Sequence, residues 1–206
     1  MSVDAARASR LSLLTVLLGL AMGAAALWLG LGEGAIALWG FGAACLLQIP
    51  SALSLRWRIR EGLGNSGLDR DRVTLRVVSH LLRLLALGLA MASGSALLGE
   101  RGPQAGLTRL GLALLATGLE AFLWIAKRGL AGTHAALDLD LARSRTVLEL
   151  SALLLLGSLL GQWFIWADAG TGLALALRLF LEGRTLGKGT ALQAACGGCG
   201  GGCGCG

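Results

Sequence analysis

The chain has 206 residues, of which 55% are hydrophobic, 15% charged and 33 glycine, with a mean hydropathy of +0.71. A soluble domain of that size carries far more charge, and this much Leu, Ala and Gly would leave large apolar patches in water. The net charge of +6 would raise nucleic acid as a partner in a soluble protein. Here the basic residues sit in short segments between apolar runs and the aromatics lie elsewhere, so no nucleic-acid partner is expected.

Backbone in lipid must satisfy its own hydrogen bonds, so apolar runs near 20 residues without period-2 alternation are membrane helices. The expected fold class is an all-α membrane protein. A six-helix transmembrane bundle covers residues 1–190, with spans at about 11–31, 34–55, 73–98, 107–126, 135–166 and 168–182, and a flexible Cys/Gly tail follows over 191–206. Arg7 and Arg10 before the first run resemble the start of a signal peptide, but Leu11–Leu31 is too long and no polar segment follows. The third span carries His80 and Arg83, and the fourth carries Glu120. Ionisable groups in hydrocarbon need partners, so an Arg83–Glu120 ion pair between consecutive helices is the first expectation and an ion or proton path through His80 and Glu120 the second. The fifth helix has polar inner turns containing Asp138, Asp140, Arg143, Arg145 and Glu149, of which Asp140 and Arg143 are i,i+3 neighbours able to neutralise each other. The sixth is short and interrupted by Arg178.

With the N-terminus in the cytoplasm, 15 of the 18 basic residues fall on the inner side, Arg101 and Arg109 fall outside, and Arg83 lies in a span. That asymmetry predicts both termini cytoplasmic, in a plasma or inner membrane. Trp28, Trp39, Trp163 and Trp166 fall near outer span ends and Trp57 and Trp124 near inner ends, where indoles anchor at the headgroups. The pairs Gly19/Gly23 and Gly157/Gly161 have small-xxx-small spacing, read as packing within the bundle ahead of a dimer contact.

The strongest local motif is the end of the chain, where Cys196, Cys199, Cys203 and Cys205 are separated only by glycine. Four thiols on so compliant a backbone can wrap a tetrahedral ion, and thiolates select Zn²⁺ or another soft metal ion. A reducing cytoplasmic side disfavours disulfides among them. Phosphate-loop, HExxH and GxSxG patterns are absent and His134 reads as a loop residue, so neither an enzyme nor a resident cofactor is expected.

The second helix reads Glu33-Gly-Ala-Ile-Ala-Leu-Trp-Gly-Phe-Gly-Ala-Ala-Cys-Leu-Leu-Gln48 and exits through Leu-Arg-Trp-Arg-Ile-Arg60. It resembles a branch of the cation diffusion facilitator (cation efflux) transporters with a "S-I-A-L-x-G-F-G-x-D-S-x-I-E" stretch and an Arg-rich exit. Asp140-Leu-Ala-Arg143, Ser151-Ala152, Gly157, Trp166-Ala167-Asp168 and the Arg178…Glu182-Gly183 exit fall in the same order as that branch's later motifs. The resemblance covers residues 11 to about 190. It implies a six-helix bundle, usually dimeric, that exports divalent cations such as Zn²⁺ through acidic or imidazole ligands facing each other from the second and fifth helices. At those positions this chain has Ala44, Gln48, Arg143 and Val147 instead. Ala and Val cannot ligate, Gln is a weak neutral ligand, and a guanidinium repels cations. The family's C-terminal cytoplasmic domain is expected to be missing, with the Cys tail in its place.

The expected function is that of a cation-efflux-like membrane protein handling divalent heavy-metal ions. The tail captures metal, and an atypical path draws on Asp140, Gln48, Cys45, His80 and Glu120. The alternative is a non-transporting, membrane-anchored paralogue that sequesters or senses metal. The expected partners are metal ions, the bilayer, and a second copy or a related transporter.

Overall fold

The computed structural model describes residues 3–60, 68–99, 106–129 and 135–187. The first helix, α1 (Val3–Glu33), stops where Gly34 adopts a φ of 68°, a left-handed conformation that costs glycine little. The Ala35 N–H then reaches back 2.8 Å to the Gly30 carbonyl. This six-to-one closure satisfies an end carbonyl and turns the chain directly into α2 (Ile36–Arg60). Three further glycines let these two helices lie unusually close. A Cβ on Gly42 would stand 2.6 Å from the Leu27 backbone nitrogen, one on Gly30 would meet the Trp39 backbone, and one on Gly23 would stand 3.0 Å from Leu46. Trp39 is half-buried, with its backbone against Gly30 of α1.

The remaining elements are α3 (Leu68–Leu98), α4 (Leu107–Arg128), α5 (Ala135–Leu160) and α6 (Ala167–Gly187). All six expected helices are present, and the described residues contain no strand. Several helices run past the expected spans: α1 starts at Val3, α2 continues to Arg60, α3 starts at Leu68 and α6 continues to Gly187. The fifth helix ends at Leu160, and residues 161–166 form turns that expose Trp163, Phe164, Ile165 and Trp166. Gly161 thus lies outside the helix, while Gly157 packs on Thr171 of α6. The sixth helix runs unbroken through Arg178, because that side chain has a carboxylate partner.

α2 is the central element, touching α1, α3, α5 and α6. The closest pairings are α1 with α2, α3 with α6, and α4 with α5. The α3–α6 contact depends on small residues in α6. Gly172 packs on Ser93, and Gly183 and Gly187 pack on Ser79 and Arg83. The core between helices comprises Leu38, Phe41, Leu82, Leu89, Leu150, Leu154 and Leu179 with many alanines. The Gly19 position is different in kind: no atom lies within 4 Å of a Cβ placed there, and it borders a cavity.

Ser9–Glu33, Ile36–Ser54, Val73–Leu98 and Leu107–Arg128 are long and apolar enough to cross a membrane. α5 and α6 are not among these four, since they carry Asp140, Arg143, Arg145 and Glu149, and Asp168, Arg178 and Glu182 respectively. Burial runs opposite to that of a soluble protein. The first and third of the four spans are only 22% buried, and Trp28, Leu98 and Leu107 are more than 80% exposed. Arg109, Glu120, Lys127, Asp168 and Glu182 are inside. Apolar groups outside and charges within is the arrangement consistent with a membrane protein.

Candidate functional site

A cavity between α1, α2, α4 and α5 offers about 30 Å³ of room for water centres, enough for one or two waters or a partly dehydrated ion. Its walls bring together four of the five residues expected to form a cation path: Cys45 and Gln48 from α2, Glu120 from α4 and Asp140 from α5. Arg143 and Val147 border it too, while Ala44 is fully buried in the core beside it. Thr15, Gly19 and Ser51 complete its polar and open sides.

Local sequence explains this placement. Glu120 lies on the buried face of α4, in line with Ala113, Ala116, Leu123 and Lys127. Asp140, Ser144 and Val147 are spaced by four and three, which places them on one face of α5. In α2, Pro50 interrupts the helix ladder two residues beyond Gln48, and the Ser51 hydroxyl donates to the Gln48 carbonyl at 2.6 Å. The Gln48 amide nitrogen is buried without a hydrogen-bond partner. Cys45 is a buried free thiol.

Asp140 is not available as a bare carboxylate. Lys127 Nζ lies 2.8 Å from its Oδ2 and also donates at 2.8 Å to the Ser144 hydroxyl. Lys127 is 4% exposed and Asp140 12%, so water screens this pair little. With Glu120, Asp140, Lys127 and Arg143 at formal charge, the cavity and its wall are balanced, two against two. Among the described residues, no three His, Cys, Asp or Glu side chains converge closely enough to hold a metal ion.

His80 is elsewhere. It is exposed and borders a groove between α3 and α6, as does Arg83. Neither meets Glu120, so the expected Arg83–Glu120 pair and the His80/Glu120 pairing are not formed. α3 packs on α6 and α2, whereas Glu120 faces the cavity shared with α1, α2 and α5. Arg83 Nη2 instead donates to the Gly183 carbonyl at 3.0 Å.

Two other charged clusters tie the bundle together. Arg109 at the start of α4 pairs with Asp168 at the start of α6, and the second Asp168 oxygen accepts the Ile36 N–H at 2.8 Å. One carboxylate therefore caps the first turn of α2 and neutralises a fully buried guanidinium. Between α5 and α6, Arg178 lies 2.6 Å from Glu149, which also accepts from Arg145 at 3.1 Å, and Arg178 reaches Thr146 at 3.3 Å. In the sequence Lys127 stands out only as one of the inner-side basic residues, Arg178 also as part of the exit motif of the resemblance, and Ser144 not at all. The four-residue step from Asp140 to Ser144 was the available signal. Cys196, Cys199, Cys203 and Cys205 lie outside the described residues. Neither protein-family models nor curated proteins give a match to this chain.

Proposed function

We propose that this chain is a six-span membrane protein with both termini cytoplasmic that handles divalent heavy-metal ions in the manner of a cation-efflux transporter. The observation that carries this reading is the convergence of Cys45, Gln48, Glu120 and Asp140 on one cavity between α2 and α5. That is where the family resemblance places transport ligands. The cavity lies toward the end of the bundle where α5 begins and α6 ends, so the Cys tail leaves the membrane domain on the cavity's side. Cys196, Cys199, Cys203 and Cys205 capture Zn²⁺ or a similar soft ion there, and the cavity receives it when Lys127 releases Asp140. The protein works as a homodimer or paired with a related transporter.

A second reading has its own support. Charge balance at the cavity and the lack of three converging ligands among the described residues favour a non-transporting protein that sequesters or senses metal through its tail. Uptake of Zn²⁺, Fe²⁺, Co²⁺ and Cd²⁺ by proteoliposomes, with the tail intact and removed, separates the two. Saturable, protein-dependent flux supports transport. Stoichiometric binding that disappears with the tail, without flux of any ion, supports sequestration.

A further inference from the structure

Arg83 poses a charge problem within the described structure. It lies in the membrane-crossing part of α3, half-buried, and its only protein acceptor is the Gly183 carbonyl, which it shares with the Ser79 hydroxyl at 2.7 Å. Its Nε is buried without a hydrogen-bond partner, and no carboxylate among the described residues pairs with it. Among the acids of the adjoining helices, Glu149 pairs with Arg145 and Arg178, and Asp168, at the far end of α6, with Arg109. Glu182, next to Gly183, is buried with its Oε2 lacking a hydrogen-bond partner and makes no ion pair with Arg83. A guanidinium at this depth without a counter-charge is costly in hydrocarbon, and an anion from outside the described residues would relieve it.

The surroundings indicate which anion. Arg83 and His80 stand at one end of an open groove of about 550 Å³ between α3 and α6 whose remaining wall is apolar, with Leu84, Leu87, Leu177 and Phe180 prominent. Helical side chains lean toward their helix N-terminus, so Arg83 and His80 incline toward the end where α3 begins. Exposed Arg76 and Arg184 flank that same end. A basic mouth above an apolar channel matches a molecule with an anionic head and a hydrocarbon tail. Guanidinium and phosphate suit each other through charge-assisted hydrogen bonds, and basic pockets between membrane helices hold such headgroups.

We infer that the α3–α6 groove is a binding site for an anionic phospholipid, with its phosphate at Arg83 and His80 and an acyl chain along Leu84, Leu87, Leu177 and Phe180. This inference is independent of metal transport. The test is native mass spectrometry of the full chain titrated in detergent with phosphatidylglycerol or with phosphatidylcholine of the same acyl chains. Phosphatidylglycerol is expected to be retained at least tenfold more strongly. Arg83→Gln removes the charge, and Leu177→Trp fills the groove without touching Arg83; each is expected to reduce that preference at least fivefold. Leu114→Trp, on an exposed face of α4, is expected to leave it unchanged. If Arg83→Gln does not fold, Leu177→Trp alone decides. Equal retention of the two lipids, or a preference that survives Leu177→Trp, overturns the inference. So does disulfide cross-linking of Leu87→Cys across two copies in the membrane, which would show the groove filled by protein.

Discussion

Removing the Asp168 carboxylate tests whether the bundle is held at one end by a single buried anion. Arg109 is 1% exposed and Asp168 3%, so Asp168→Ala leaves a guanidinium stranded in a low-dielectric interior. Breaking a buried pair from one side costs about 3–5 kcal/mol. The same change strips the Ile36 N–H of its acceptor, a helix-cap loss of about 0.5–2 kcal/mol. The sum, roughly 3.5–7 kcal/mol, is a large share of the ~5–15 kcal/mol that usually stabilises a domain. Arg109→Met combined with Asp168→Leu removes both charges and should retain only the cap loss, about 1 kcal/mol. The assay is equilibrium unfolding in mixed dodecyl maltoside and SDS micelles, followed by tryptophan fluorescence, for Asp168→Leu, Arg109→Met and the double, with Asp168→Ala as a check on the first. The double variant is expected to lose at least about 5 kcal/mol less than the two single losses together. If the double variant loses the sum of the two single losses, the reasoning is refuted.

Gly42→Ala should destabilise by about 1–3 kcal/mol in the same assay, because its Cβ meets backbone of α1 rather than a movable side chain. Gly118→Ala, with open space around it, should fall within about 1 kcal/mol of the parent. Gly34→Ala forces a Cβ into a left-handed turn and should cost about 1–2 kcal/mol, read as a lowered unfolding midpoint. In a chain truncated after residue 190, Lys127→Gln should tighten Zn²⁺ binding to the membrane domain at least tenfold, equivalent to ~1.4 kcal/mol, by isothermal titration. Unchanged affinity would show that Asp140 does not face the bound ion.

Helix number and most helix ends were legible because run length in an apolar sequence answers directly to bilayer thickness. Gly23 and Gly157 were recognised as packing positions from their spacing, and both do pack within the bundle. Partnership between helices was much less legible. Arg83 and Glu120 were matched because consecutive antiparallel helices are usually neighbours, but Gly172, Gly183 and Gly187 let α3 approach α6 instead. The Asp140–Lys127 and Glu149–Arg178 pairs join residues 13 and 29 apart, separations at which no periodicity operates. The resemblance pointed to positions on α2 and α5, and Glu120 of α4 stood out only as an ionisable group in a span; neither signal said that Cys45, Gln48, Glu120 and Asp140 line one cavity. Intrinsic spacing says which face of a helix a residue occupies, but not which helix that face meets.

The central claim is that the cavity, and not the tail alone, handles the metal. The most direct measurement is Zn²⁺ uptake into proteoliposomes by the full chain and by its Glu120→Ala and Asp140→Ala variants, each checked for intact helix content and unchanged tail binding. The account predicts saturable uptake by the parent that falls at least tenfold in both variants. Parent uptake that both variants retain, or no uptake by the parent while its tail still binds Zn²⁺, would contradict it.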